Sequence, residues 1–178
     1  QQRLANGNPD VDAIYRMINK NINIKFKKNL NLALNNESYC PFNSQNTIWF
    51  EDAFPLMYLP SYCSMRATDI WRSYISLRIM REFKWNMLFS SPTVEQDRNY
   101  HDLQKDFKDE IPVYSDTKKV FNALNEIELF NKKNHIIINL FMCYQKLVKE
   151  KIFDKKELDL VKLWCKDISK ILPNLVKI

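Results

Sequence analysis

Glycine is almost missing from this chain: Gly7 is the only one in 178 residues. An average protein carries about 7%. The shortage excludes whole classes of function. A dinucleotide fingerprint and a phosphate-binding loop each need more than one glycine, and so does a nucleophile elbow. Histidine is nearly as scarce, with only His101 and His135. No C-x-x-C occurs among Cys40, Cys63, Cys143 and Cys165, so a zinc site is not expected. Cys143 and Cys165 sit in apolar helical patterns and read as buried thiols. Cys40 and Cys63 are able to pair in an oxidising compartment, and the sequence leaves that open. No apolar run approaches the length of a membrane span. No signal-peptide pattern opens the chain, which begins Gln1-Gln2-Arg3 without a Met and so suggests a piece of a longer protein.

What is present fits one domain, or one domain with an appendage: 46% hydrophobic and 27% charged residues. The net charge of +6 is unevenly placed. Residues 1–116 hold 14 basic and 14 acidic side chains, whereas residues 117–178 hold 13 and 7. The excess lies on scattered lysines, which read as the solvent face of amphipathic helices. They are not interleaved with aromatics as in a nucleic-acid platform.

Along the chain, Asn6-Gly7-Asn8-Pro9 reads as a loop, and Leu30–Leu34 alternates like a short strand. Thr47–Phe50 is strand-like, and Phe54–Pro60, bracketed by prolines, reads as extended. A helix is predicted from Thr68 or Asp69 to about Glu82, with either residue as a good cap. Lys84–Phe89 suggests a strand. Ser90–Tyr114 is polar and reads as a long connection. Three helices follow at about 117–130, 134–151 and 155–172, each with an apolar stripe. A mixed α/β part, residues 1–116, thus precedes an all-helical part, residues 117–178. The tripeptide Asn36-Glu37-Ser38 is a glycosylation sequon that matters only in a secretory protein.

Few residues stand out chemically. Asp69-Ile70-Trp71-Arg72 puts an acid, a flat ring and a guanidinium at a helix start. A cap plus a core aromatic explains it, and so does a polar ligand site. Asn43-Ser44-Gln45-Asn46-Thr47 offers amides and hydroxyls suited to sugar hydroxyls, or to an ordinary turn. Asp10-Val11-Asp12 matches a D-x-D pattern for a hard divalent cation. Such a pattern is expected after an apolar strand, and no strand is evident in Leu4–Pro9, so Asp10 is read as the cap of a short helix. His101, within a charged stretch, is a metal-ligand or proton-shuttle candidate beside the commoner surface reading.

Four stretches, "NGNPDVDAIYR", "CPFNSQNTIWF", "LPSYCSMRATDIWRSYI" and "SPTVEQDRNYHDLQKDFKDE", stand in this order over about residues 3–116. In that order and spacing the chain resembles the STELLO-like glycosyltransferase family. It is more distantly similar to the reversibly glycosylated polypeptides, the UDP-arabinopyranose mutases. The resemblance implies the C-terminal part of a GT-A-like glycosyltransferase domain, an α/β fold, followed here by an all-α extension. It implies a nucleotide sugar as donor, a glycan acceptor, and Mn²⁺ or Mg²⁺ held by an upstream nucleotide-binding half. Asp69 would be the base toward the acceptor hydroxyl, Trp71 a stacking wall and Arg72 an anchor for phosphate or for Asp69. Arg66, Asn43, Gln45, Asn46, Asp12 and Arg16 lie in the same motifs as substrate-binding candidates. A Golgi or secretory location is implied with them. The alternative is a non-catalytic interaction module of a glycan-synthesis complex, docking a protein partner through the helical tail.

Overall fold

A computed structural model describes residues 1–35 and 37–173 of the chain; the sequon's Asn36 lies outside the described residues. In chain order it has β1 (Gln2–Gly7), α1 (Ala13–Ile18), β2 (Asn31–Leu34), a 3₁₀ segment (Glu51–Met57) and α2 (Thr68–Glu82). Then come β3 (Met87–Gln96), α3 (Leu103–Asn125), a 3₁₀ turn (Lys133–His135), α4 (Ile136–Lys149) and α5 (Glu157–Ile171). The strands form one three-stranded sheet in the order β1-β3-β2, parallel between β1 and β3 and antiparallel between β2 and β3. This is a mixed α/β architecture with a small sheet and several helices, the last ones C-terminal.

The backbone works around its glycine shortage. Asn21, Asn29 and Asn46 take left-handed conformations with φ near 59°, 59° and 54°. Asparagine tolerates that region better than other side chains do. Gly7 has φ 82°, and a Cβ there would stand 2.8 Å from the Gln96 carbonyl oxygen. At this point, where β1 leaves β3, only glycine fits.

Helix α2 is the centre of the molecule. Residues 71–80 are all buried, polar ones included. Trp71, Ile75 and Ile79 face the apolar core with Leu124, Leu140, Tyr144 and Val161 from the three later helices. One hydrophobic cluster therefore joins residues on both sides of position 116, and α3 passes through that position without a break. Arg78, 5% exposed, donates from Nε to the Leu124 carbonyl (2.9 Å) and from Nη2 to the Ile127 carbonyl (2.7 Å). It satisfies carbonyls that the end of α3 would otherwise leave without partners. Glu157, fully buried at the start of α5, accepts the Tyr58 hydroxyl and the backbone N–H of Ser61 (3.0 Å) and Tyr62 (2.8 Å). Trp164 Nε1 donates to the Pro55 carbonyl (2.8 Å). The segment ahead of α2 is thereby clamped onto α5.

Several sequence expectations need correction. A strand, Gln2–Gly7, runs into the stretch Leu4–Pro9 where none was evident and takes in Asn6 and Gly7 of the expected loop, although only Gln2 and Ala5 on it are buried. Thr47 makes an isolated bridge to Gln2, and no strand runs over 47–50. The Pro-bracketed stretch begins as a 3₁₀ helix with Pro55 inside it. Ser90–Tyr114 is not a connection: β3 continues to Gln96, and Asp102 starts α3 by accepting from the N–H of Gln104 and Lys105. Helix α2 has no side-chain cap: Ala67 is its N-cap, and Asp69 points elsewhere. All four cysteines are free thiols. Burial pushes the Cys143 thiol up to about 12.

Candidate functional site

The turn after β1, the loop around Asn43, the start of α2 and the middle of α3 line a cleft of about 260 Å³. Val11, Asp12 and Asn43 line it from the loops, Asp69 and Ile70 from α2, and Glu110 and Tyr114 from α3. Each polar wall has a local cause. Asp12 is the N-cap of α1, accepting from the Tyr15 N–H at 2.9 Å, so the capping role assigned to Asp10 belongs to its neighbour. Glu110 and Tyr114 are one turn apart on α3 and face inward together. Glu110, 5% exposed, accepts from Arg66 Nε (2.9 Å) and Nη2 (2.5 Å), and from the Ala13 N–H (2.8 Å). The Tyr114 hydroxyl lies 3.0 Å from Glu110 Oε2 and 3.1 Å from Asp12 Oδ1. It has one proton for two carboxylates. Burial first, and then the bond to Glu110, push the Tyr114 pKa up, so it stays a donor at neutral pH.

Asp69 occupies the first turn of α2, where free N–H groups and the helix dipole favour a carboxylate. Its Oδ2 accepts the Ser44 N–H at 2.8 Å. That is its only hydrogen bond among the described residues, and it has no ion pair there. The other three carboxylates on the cleft are occupied: Glu110 by Arg66, Asp12 by Tyr15 and Tyr114, and Asp10 by two arginines.

Asp10 follows β1 and contacts Arg66 Nη1 at 3.3 Å and Arg98 Nη1 at 2.8 Å. Burial raises its pKa, but the hydrogen bond and charge of Arg98, with those of Arg66, outweigh burial and hold it below 3.8. A depressed carboxylate stabilises the fold above its unfolded pKa and loses that contribution as pH falls through the folded value. Asp10→Asn is therefore expected to cost about 1–3 kcal/mol near pH 7. The difference from the parent should shrink as pH falls through the lowered folded-state pKa of Asp10. Urea melts at pH 7, 5 and 3 check it; a pH-independent difference would assign the loss to packing.

The remaining sequence candidates are placed elsewhere. Trp71 is 2% exposed and packs 6.0 Å from the Tyr74 ring, so it is a core residue and no wall of the cleft. Arg72 is 4% exposed, with its guanidinium 5.1 Å from the Trp49 ring and 5.6 Å from the Phe42 ring. It does not line the cleft. Gln45 and Asn46 hold the loop to the sheet: Gln45 Nε2 donates to Gln96 Oε1 (3.1 Å), and Asn46 Nδ2 donates to the Leu4 carbonyl (2.9 Å). Arg16 fastens the turn after β1, donating from Nη1 to Asn8 Oδ1 (2.5 Å) and from Nε to the Val11 carbonyl (3.2 Å). His101 Nδ1 meets Asp106 Oδ2 at 3.0 Å. Glu110 and Tyr114 were not legible as site residues, because they lie in the stretch that reads as a connection. The signal available was their spacing of four.

Mn²⁺ or Mg²⁺ does not fit these side chains as they stand. Among the described residues no three His, Cys, Asp or Glu come together as a metal-holding group. Asp10 and Asp12 of the D-x-D pattern do follow a strand, but one is held by arginines and the other caps a helix.

The family model of STELLO glycosyltransferases matches residues 66–178. The chain belongs to this family. It is 33% identical over 101 residues to "Probable glycosyltransferase STELLO2" and 31% identical over 101 residues to "Probable glycosyltransferase STELLO1", both from Arabidopsis thaliana. Each alignment covers 54% of this chain and 13% of the relative. The matched residues begin at Arg66 and include the helical tail, which the motif resemblance had left uncovered. The two earliest motifs lie ahead of them. No helix among the described residues is long and apolar enough to cross a membrane.

Proposed function

We propose that the chain forms the acceptor-side part of a GT-A-like glycosyltransferase domain that uses a nucleotide sugar in glycan or polysaccharide synthesis. Asp69 is the base. One observation carries this reading: Asp69 alone of the four carboxylates on the cleft accepts a single hydrogen bond and forms no ion pair among the described residues. A general base must reach the hydroxyl proton directly or through one water, and Oδ1 faces that task unencumbered. In the transfer step Asp69 takes the acceptor's proton, and the acceptor oxygen bonds to the anomeric carbon. The bond from that carbon to the donor phosphate breaks, and the nucleoside diphosphate leaves. Tyr114 and Asn43 offer hydrogen bonds to sugar hydroxyls, and Arg66 fixes Glu110 so that Tyr114 is held in place. A Mn²⁺ or Mg²⁺, if used, is held by residues outside this segment. The family's glycosyltransferase name supports sugar substrates; a Golgi lumenal location is proposed with them.

A second reading, a non-catalytic interaction module docking a partner through α4 and α5, is favoured by the burial of Trp71 and Arg72 away from the cleft. A thermal-shift screen of the full-length protein against UDP-, GDP- and ADP-sugars with Mn²⁺ separates the two. Saturating donor is expected to raise Tm by about 5 °C, since a ligand selective for the folded state stabilises it by mass action. No shift with any donor favours the module.

A further inference from the structure

A second cleft, of about 530 Å³, opens where the turn after α1 meets the connection from β3 to α3. Its charged side chains are Arg16, Lys20 and Arg98, with His101 beside them, and no carboxylate lines it. Asn8, Asn19, Asn21 and Asn99 add neutral amide groups. This is a local excess, because residues 1–116 are neutral as a whole. Two nearby acids offset part of it, Asp10 paired with Arg98 Nη1 at 2.8 Å and Asp106 in contact with His101 at 3.0 Å, while Asp102 caps α3 and Lys20 stays uncompensated among the described residues. The Arg98 side chain is 9% exposed, and its buried Nε–H has no acceptor. Arg16 is also 9% exposed, and its pKa is lowered, by burial first and then by the charge of Arg98. Crowded, partly desolvated cations of this kind set up a positive field at the mouth of a cleft.

We propose that this cleft, with Lys20 and Arg98 as its binding cations, His101 beside them and Arg16 held by the turn behind them, binds the phosphate group of a phosphorylated ligand. Arginine and lysine are the side chains that take phosphate, one as a fork and the other as a point charge. The Tyr100 ring, 97% exposed, lies at the same cleft. It offers a face on which a base can stack. Asp10 lines the Asp69 cleft and holds Arg98 of this one, so the two sites share a wall. The phosphate site stands without the transferase reading and would serve it.

The test is calorimetric titration of the chain with inorganic pyrophosphate at low salt. Saturable binding that weakens as salt rises is expected. Lys20→Glu should weaken it about tenfold, whereas Lys162→Glu, the same charge change on an exposed side chain of α5, should leave it unaltered. Lys20 is exposed and makes no ion pair among the described residues, so its variant is not a folding variant. Absence of binding, or equal weakening by both variants, overturns the site. UDP and glucose 1-phosphate then identify the carrier. Tighter binding of UDP that Tyr100→Ala abolishes supports the site with a nucleotide carrier. Lys20-dependent binding of glucose 1-phosphate as tight as that of UDP supports it with a sugar phosphate. Transfer assays of Asp69 variants bear on the other cleft and leave this result untouched.

Discussion

Trp71→Ala is expected to destabilise the chain by about 3–5 kcal/mol, the range for removing a large buried aromatic. In a domain of this size that is a fall in Tm of about 10 °C. Trp71 is 2% exposed at the centre of α2, among the largest fully buried side chains. Its ring lies 6.0 Å from that of Tyr74, whose ring in turn lies 4.7 Å from that of Phe121 on α3. Truncation leaves a void that helices tied at both ends relax into poorly. Arg78 fixes the end of α3 and Glu157 fixes the start of α5, so neither is free to close it. In chemical denaturation the midpoint should drop sharply with little change in slope. Because Trp71 does not line the cleft, KM for a sugar substrate should stay near that of the parent at temperatures where the variant is folded. A raised KM with an unchanged Tm would return Trp71 to the sugar-stacking role that its neighbours Asp69 and Arg72 suggest.

The same residue shows what the sequence could and could not convey. Its spacing with Tyr74, Ile75 and Ile79 was helical and apolar, and the structure places these residues in the core. Helices α4 and α5 were readable for that reason: each buries one stripe and wets the rest. The first half of α3 was not readable. Its buried residues are Asp106 and Glu110, and Pro112 stands inside it. Hydrophobic periodicity is blind to acids buried by arginines. β1 was missed for a related cause: its hydrogen bonds come from β3, far along the chain, and its sequence carries no run of β-branched side chains. Within the site, Asp69 and Asn43 stood out by type and position. Glu110, Tyr114 and the arginine pair on Asp10 are products of tertiary contact, and no local pattern announces them.

In the proposed transfer Asp69 takes the proton because it is the one carboxylate of its cleft with a single hydrogen bond and no ion pair among the described residues. Asparagine in its place keeps the shape and an acceptor for the Ser44 N–H, now 2.8 Å away, and removes the basicity. The other acids cannot substitute without breaking ion pairs or a helix cap. Loss of a general base typically costs 10²–10⁴-fold, so kcat of the full-length protein is expected to fall by about that factor. Tm should fall by no more than about 3 °C, the share of the helix dipole that the lost charge satisfied, since no buried contact is lost. The measurement is kcat and KM for sugar transfer by the Asp69→Asn variant beside the parent, with melting curves of both. A kcat lower by at least about a hundredfold, with Tm within about 3 °C of the parent and nearly unchanged KM, is the predicted result. An unchanged kcat would contradict it and remove Asp69 from the mechanism.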